Sequence, residues 1–332
     1  MAQSGASAGS VAGPLSGIIV VDLTRVLAGP FCTMLLADLG ARVIKVENPK
    51  GGDDSRAYGP FINGKSGYFI AQNRGKESIA LDLKNADDQA ILHRLLKRAD
   101  VLIENFRPGT MARLGFGQEQ LKALYPQLIY ASTSGFGQTG PYADRPAYDI
   151  IAQAMGGIMS ITGHEGSEPT RVGASIGDLG AGLFTTIGIV SALHHRNRSG
   201  EGITVDVAML DSQVALLENA IARYYSTGKA PKPLGARHPS IAPFEAYRTQ
   251  DGHVVIACGN DSLFRTFCGV IEQPELPEDP RFATNAKRSE NVLVLKDVLD
   301  SVLLHHPSAH WLELFNRSEE RRVGKECLRL CR

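Results

Sequence analysis

Apolar residues along this chain fall in short runs separated by longer amphipathic stretches. Gly17-Ile18-Ile19-Val20-Val21-Asp22-Leu23 is a β-branched run ended by a polar residue, the signature of a buried strand. Ala41 to Glu47 repeats the pattern, and Phe31 to Gly40 between them reads as a helix, with Pro30 near its start and Gly40 as C-cap. The alternation continues with a strand over Ser78 to Leu83, a helix over Ala86 to Arg98, and strands over Val101 to Asn105 and Leu128 to Ser132. Strand, helix and strand joined by short connections predict an α/β fold with a parallel sheet.

Further along, Asp149 to Gly163 predicts a helix rich in small residues, Asp178 to His195 one long helix, Gly202 to Met209 a strand, and Leu210 to Tyr225 a helix. Gly228 to Pro243 is rich in Pro, Gly, Lys and Arg and breaks the pattern. A hairpin follows, Phe244 to Arg248 and His253 to Cys258 around a turn at Gln250-Asp251-Gly252. The expected organisation is a disordered extension over 1–14, a large domain over 15–225, a linker over 226–243, a small domain over 244–316, and a tail over 317–332. The extension has no Lys or Arg and no apolar segment of signal-peptide type.

The 332 residues suggest about two domains. A hydrophobic fraction of 43% supplies a sizeable core and excludes disorder for most of the chain. Thirty-five basic residues balance 35 acidic ones, which argues against broad capture of nucleic acid or anionic lipid. No run approaches 18 uninterrupted apolar residues, so no membrane span is expected. Five scattered cysteines without a Cys-x-x-Cys pair predict reduced thiols and a cytoplasmic location. No metal site is expected, and His194-His195 reads as solvated. The loop after the first strand has neither a Gly-x-Gly-x-x-Gly fingerprint nor a P-loop, and no Gly-x-Ser-x-Gly elbow occurs.

One segment then stands out. In Arg171-Val172-Gly173-Ala174-Ser175-Ile176-Gly177-Asp178-Leu179-Gly180-Ala181-Gly182, a carboxylate opens an apolar helix between glycines. Asp178 is either an N-cap or a nucleophile held at a helix start that a bulky thioester can approach. Composition leaves both open.

The chain resembles the family III CoA-transferases. The resemblance rests on an ordered set of stretches: Leu27-Ala28-Gly29-Pro30, Val43-Ile44-Lys45-Val46-Glu47, Gly52-Asp53-Asp54-Ser55-Arg56, Asn73-Arg74-Gly75-Lys76 and Glu104-Asn105-Phe106-Arg107-Pro108-Gly109. Gly135-Phe136-Gly137-Gln138-Thr139-Gly140-Pro141, Tyr148-Asp149, Ala152-Gln153, Gly177-Asp178 and Val207-Ala208-Met209-Leu210-Asp211 complete it, over about residues 15 to 316. It implies a Rossmann-like large domain with a smaller α+β domain, and an interlocked homodimer. It implies that CoA passes from an acyl-CoA donor to a carboxylate acceptor through anhydride and thioester intermediates on Asp178, with no permanently bound cofactor. Val26, Leu27 and Ala28 would line the CoA pocket, Asn105, Phe106 and Arg113 would hold the adenine–phosphate end, and Lys76 would be a further phosphate partner. Leu81, Asp149 and Met209 would form pocket walls.

Two departures shape the expected substrate. Formyl-CoA transferase has a glutamine where Leu27 stands, and a glycine-rich loop where this chain has Leu234-Gly235-Ala236-Arg237-His238-Pro239. Both point away from formyl and oxalate substrates and toward the dicarboxylate branch with succinyl-CoA as donor, where Arg237 and His238 would bind the acceptor. The family's α-methylacyl-CoA racemases require a histidine where Tyr148 stands, a phenol too weakly basic for that role. Racemase and inactive CoA-binding fragment are the alternative readings. The tail from Arg317 resembles no part of the family and reads as translated sequencing adapter, with the native chain cut near Asn316 and no function expected of the last sixteen residues.

Overall fold

The structure is a computed structural model that describes residues 13–317. The sequence-predicted extension up to residue 12 and the tail from residue 318 lie outside the described residues; Gly13 already contacts Leu39 and Gly40, and Arg317 closes a helix. The chain divides into two compact units. One runs to Ile161 and resumes over Pro169–Pro231; the other takes Thr162–Glu168 and the chain from Lys232 onward.

The first unit begins β1 (Ile19–Asp22), α1 (Ala28–Asp38) and β2 (Arg42–Glu47). A small hairpin of β3 (Phe61–Ile62) and β4 (Lys65–Ser66), then α2 (Gly67–Asn73), leads to β5 (Glu77–Ala80) and α3 (Ala86–Leu96). Next come β6 (Val101–Glu104), α4 (Thr110–Arg113), α5 (Gln118–Leu124) and β7 (Ile129–Ser134). The unit closes with α6 (Asp149–Met155), α7 (Ile158–Ile161), α8 (Ile176–Ser199), β8 (Thr204–Ala208), α9 (Met209–Leu216) and α10 (Asn219–Thr227).

Six of these strands pair in parallel, in the order β5-β2-β1-β6-β7-β8. Chain order therefore reverses between β1 and β6, and such a reversal opens a crevice beyond the carboxyl ends of the two strands. The loops that follow β1 and β6 run into that crevice. Side-chain alternation explains why both faces are covered. Val20, Val43, Val101, Ile103, Ile129 and Ala131 meet α1 and α8 through Cys32, Leu36, Ile189 and Leu193. Val21, Leu102 and Tyr130 point the other way, toward Leu92, Leu96, Met111 and Leu121. α8 is long and apolar enough to cross a membrane by length and composition alone, but half of it is buried against the sheet and α1. Close contact with α1 depends on Gly182, where a Cβ would lie 2.7 Å from the Ala28 carbonyl oxygen.

The second unit holds the predicted hairpin, β9 (Phe244–Arg248) and β10 (His253–Ala257), with α11 (Asp261–Val270), α12 (Asn285–Glu290), α13 (Val292–Leu303) and α14 (Ser308–Arg317). Tyr247, Ile256, Phe264, Phe267, Leu295, Leu299 and Trp311 form its core. The fully buried Arg288 donates to the carbonyls of Ala242 and Phe282 and to Asp261, and stacks on Phe264. Asn285 accepts from the Ala242 N–H and donates to the Ser240 carbonyl. These contacts tie residues 240–242, expected as linker, to this unit.

Two predicted helices are each broken in two. Gly156-Gly157 ends α6, with Gly157 at φ +88°, and Glu218 at φ +48° separates α9 from α10. The hairpin and helix over residues 61–73 carry too short a pattern for periodicity to register.

Gly182→Ala tests the contact between α1 and α8. Alanine is intrinsically favoured in a helix by about 1 kcal/mol, yet the added methyl has no room against backbone. Denaturant unfolding should show a net loss of roughly 1–2 kcal/mol.

Candidate active site

At the carboxyl end of β1 a buried carboxylate organises the loop that follows. Asp22, fully buried, accepts from the Thr24 N–H at 2.8 Å, the Thr33 hydroxyl at 2.6 Å and the Lys76 ammonium at 3.2 Å. Burial pushes this carboxyl up, but Lys76, Lys45 and the two hydroxyls together hold it below its ordinary value. Lys45, also buried, reaches the Thr24 carbonyl at 2.7 Å and Asp53 at 2.9 Å. Asp53 in turn accepts the Val26 N–H at 3.1 Å. The Asn105 amide pairs with both sides of the Arg25 backbone, accepting from its N–H at 2.8 Å and donating to its carbonyl at 2.7 Å. This clamp holds Val26 at φ +67°, which costs a β-branched residue about 1–3 kcal/mol.

These contacts correct one expectation and add a second role to another residue. The Lys76 side chain is 2% exposed, and its ammonium is occupied by Asp22, the Pro30 carbonyl and Asn73, so it offers nothing to a phosphate. Asn105 lines the cleft, and its amide also braces Arg25, which leaves one N–H and one oxygen lone pair for a nucleotide. Arg113 is placed otherwise than expected: it is exposed, donates to the Thr110 hydroxyl, and lines neither cleft described below.

Asp178 is the third residue of α8, and Ser175 is the N-cap, so the carboxylate caps nothing. Its backbone is set by α6. Asp149 accepts the Gly177 N–H at 2.8 Å and the Gln153 amide at 2.8 Å, while Gln153 also accepts the Val172 N–H at 2.8 Å. Gly177 is needed here, since a Cβ would sit 3.0 Å from an Asp149 oxygen. Among the described residues no hydrogen bond reaches the Asp178 carboxylate. Burial first, and the Asp149 charge second, push its pKa up to about 7.

Two clefts open at the carboxyl ends of the strands. The one containing Asp178 has about 250 Å³ of space and brings together Val26, Leu27, Ala28, Asn105, Phe106 and Met209, with Arg25, Arg107 and Arg145 adding positive charge and Tyr148 beside them. The other, of about 230 Å³, is lined by Leu23, Leu81, Leu83 and Phe106, with Lys50 and Lys84 among its polar residues. Beneath Phe106, the buried Glu104 accepts that residue's N–H at 2.6 Å and the Tyr130 hydroxyl at 3.0 Å, and burial raises its pKa to about 7. Arg237 and His238 belong to the second unit. There Arg237 lies 3.7 Å from Glu165, and His238 accepts the Ser240 N–H and packs on Phe244.

The model of CoA-transferase family III matches residues 15–321. The chain belongs to that family. It is 52% identical to the acetyl-CoA:oxalate CoA-transferase of Acetobacter aceti, over 92% of this chain and 79% of that protein. It is 45% identical to the succinate–glutarate CoA-transferase of Agrobacterium fabrum, over 88% and 74% of the two chains. Among solved structures it resembles a CAIB/BAIF family protein from Brucella suis, with a TM-score of 0.81 and 43% identity over 93% of this chain and 83% of that one. The protein is thus a CoA-transferase, with acyl-CoA and carboxylate substrates.

Sequence reasoning missed Arg25, Arg107 and Arg145 as cleft cations. Arg107 lies within a quoted motif and Arg25 two residues before another, but only the strand order brings the loops together.

The raised pKa of Asp178 makes a stability prediction. Above pH 7 the folded CoA-transferase carries a poorly solvated charge that the unfolded chain carries in water; below about pH 4 both forms are neutral. Asp178→Asn should therefore stabilise the protein by roughly 2–4 kcal/mol at pH 8.5, with the gain vanishing by pH 4. Thermal unfolding across that range checks it.

Proposed function

We propose that this CoA-transferase moves CoA from succinyl-CoA to a dicarboxylate through covalent intermediates on Asp178. The observation that carries the reading is the Asp178 carboxylate itself, partly desolvated and free of hydrogen bonds in a cleft rimmed by arginines. A carboxylate without such partners is a stronger nucleophile than a solvated one. Its oxygen attacks the thioester carbonyl, the C–S bond breaks, and CoA leaves as thiolate from a mixed anhydride. The thiolate attacks the aspartyl carbonyl, expelling the donor acid and leaving an aspartyl-CoA thioester. An acceptor carboxylate then displaces the thiolate to form a second anhydride. Attack of the thiolate on its acceptor carbonyl releases the new acyl-CoA and regenerates Asp178. No net proton is consumed.

Several features support the substrate reading. The paired clefts suit a long thioester, with the pantetheine arm toward Asp178 and the base among Leu23, Leu81 and Leu83, near Lys50 and Lys84. Relatives named for oxalate, glutarate and mesaconate transfer support a dicarboxylate acceptor. Arg237, whose nearest ion partner stands beyond hydrogen-bond distance, is the proposed holder of the acceptor's remote carboxylate, with His238 beside it. The same reading takes the enzyme as a cytoplasmic homodimer, supported by the exposed apolar stripe of Leu183, Phe184, Ile187 and Val190 on α8 and by the buried thiols Cys32 and Cys268.

Asp178→Ala should abolish transfer, and hydroxylamine trapping after incubation with succinyl-CoA should modify Asp178 in the parent protein. Transfer within about tenfold of the parent's, a barrier change near 1.4 kcal/mol, rejects the nucleophile. Because Asp178 must be ionised to attack, kcat/KM should rise with pH through a single ionisation near 7 and level off above 8.

For the acceptor, Arg237→Ala should raise the apparent KM of glutarate far more than that of a monocarboxylate of similar length, by roughly 1.5–3 kcal/mol. Equal effects on both acids remove Arg237 from the acceptor site.

A further inference from the structure

The two clefts of the first unit share three lining residues: Arg25, Asp54 and Phe106. Two of these form an ion pair and the third is the ring beneath it. Arg25 Nη1 lies 3.4 Å from Asp54 Oδ2, and the guanidinium carbon sits 5.4 Å from the Phe106 ring centroid. Both charged side chains are more than half exposed, at 51% and 58%, and a pair so long and so solvated contributes little to stability.

Their backbones are another matter. Arg25 is held on both sides by Asn105. Asp54 begins the 3-10 turn Asp54–Ala57, capped by Asp53, whose carboxylate accepts the Ser55 N–H at 2.9 Å and pairs with the buried Lys45. Asp53 is engaged in fixing these loops, whereas among the described residues Asp54 has no side-chain hydrogen-bond partner except Arg25. Hydrogen-bonded backbones thus carry two exposed side chains of opposite charge at the junction of the clefts.

We propose that Arg25 and Asp54 form a latch across that junction, which opens when the diphosphate of CoA passes between the clefts. This rests on the coenzyme reading given above. A ligand with its base in one cleft and its thioester in the other must cross where Arg25 stands. A diphosphate offers the guanidinium a doubly charged, bidentate partner in place of one long carboxylate contact. Asp54 cannot share that position, because its charge repels the phosphates. Arg25 is therefore the anchor of the bound coenzyme, and Asp54 competes with the phosphates for it, lowering affinity and hastening release.

The test compares Arg25→Met and Asp54→Asn by calorimetric titration with CoA, and by kcat/KM for succinyl-CoA and for succinyl-pantetheine, which lacks the nucleotide. Arg25→Met should weaken CoA binding by about tenfold or more, and its loss of kcat/KM should be at least about fivefold larger for succinyl-CoA than for succinyl-pantetheine. Asp54→Asn should tighten CoA binding by about threefold to tenfold, and this gain should disappear when Arg25 is already methionine. Unchanged or weaker CoA binding by Asp54→Asn overturns the latch, as does an equal loss of kcat/KM toward succinyl-CoA and succinyl-pantetheine in Arg25→Met. If the parent protein binds no CoA, the coenzyme reading itself fails, a result distinct from either of those.

Discussion

The active-site loop depends on a buried charge cluster at the end of β1. Asp22 and Asp53 face Lys45 and Lys76 where almost no solvent reaches. Removing one member of such a cluster leaves its partner charged and unpaired, at a cost of about 3–5 kcal/mol. What the cluster secures is position. Lys45 holds the Thr24 carbonyl, Asp22 the Thr24 N–H and Asp53 the Val26 N–H, so the residues on both sides of Arg25 are fixed and Val26 takes a backbone that its own propensity would not choose. Leu27 and Ala28 are then delivered to the wall of the cleft, and Arg25 to its rim.

The two carboxylates next to each other on α6 and α8 show the opposite uses of one chemical group. Asp149 is saturated, with the Gly177 N–H and the Gln153 amide as donors. Among the described residues nothing donates to Asp178, and its own charge is destabilised by burial and by Asp149. The hydrogen-bonded carboxylate fixes the peptide that carries the other one. On the proposed mechanism, a nucleophile that forms and breaks bonds to two acyl groups in turn gains from this separation: its donors would compete with the incoming carbonyl, while a positioned backbone keeps it aimed. Any hydrogen bond placed on Asp178 would stabilise the ground-state carboxylate and lower its reactivity.

Much of this was legible in the residues. The β-branched runs at Ile19, Val43, Val101 and Ile129 announce the parallel sheet, because strands buried on both faces read as continuous apolar stretches. Asp178 stands out between glycines. The breaks after Met155 and Leu217 were not visible, since a Gly-Gly pair inside a small-residue helix and a left-handed glutamate leave no mark on hydrophobic periodicity. Lys76 is legible as important and misread in role, and the bracing role of Asn105 is not visible. Their partners, Asp22 and Arg25, lie 54 and 80 positions away, and nothing local distinguishes a lysine that binds phosphate from one that neutralises a buried aspartate. Arg113 closes a four-residue helix, where its side chain is exposed and lines neither cleft.

The strand order is that of sheets which bind dinucleotides on a glycine-rich turn, yet the loop here has no such turn. In those sheets the anion rests on backbone N–H groups at a helix start, and glycine is needed so that the backbone can approach. In this CoA-transferase the corresponding position holds Val26 in a left-handed conformation, and Pro30 removes a donor from the first turn of α1. Positive charge comes instead from Arg25, Arg107 and Arg145, carried on three separate loops. Side chains reach farther than backbone amides and need not be coplanar, so the crevice can be wide enough to keep a bulky thioester beside Asp178. The same sheet thus keeps the location of its site, while anion recognition passes from main chain to side chain.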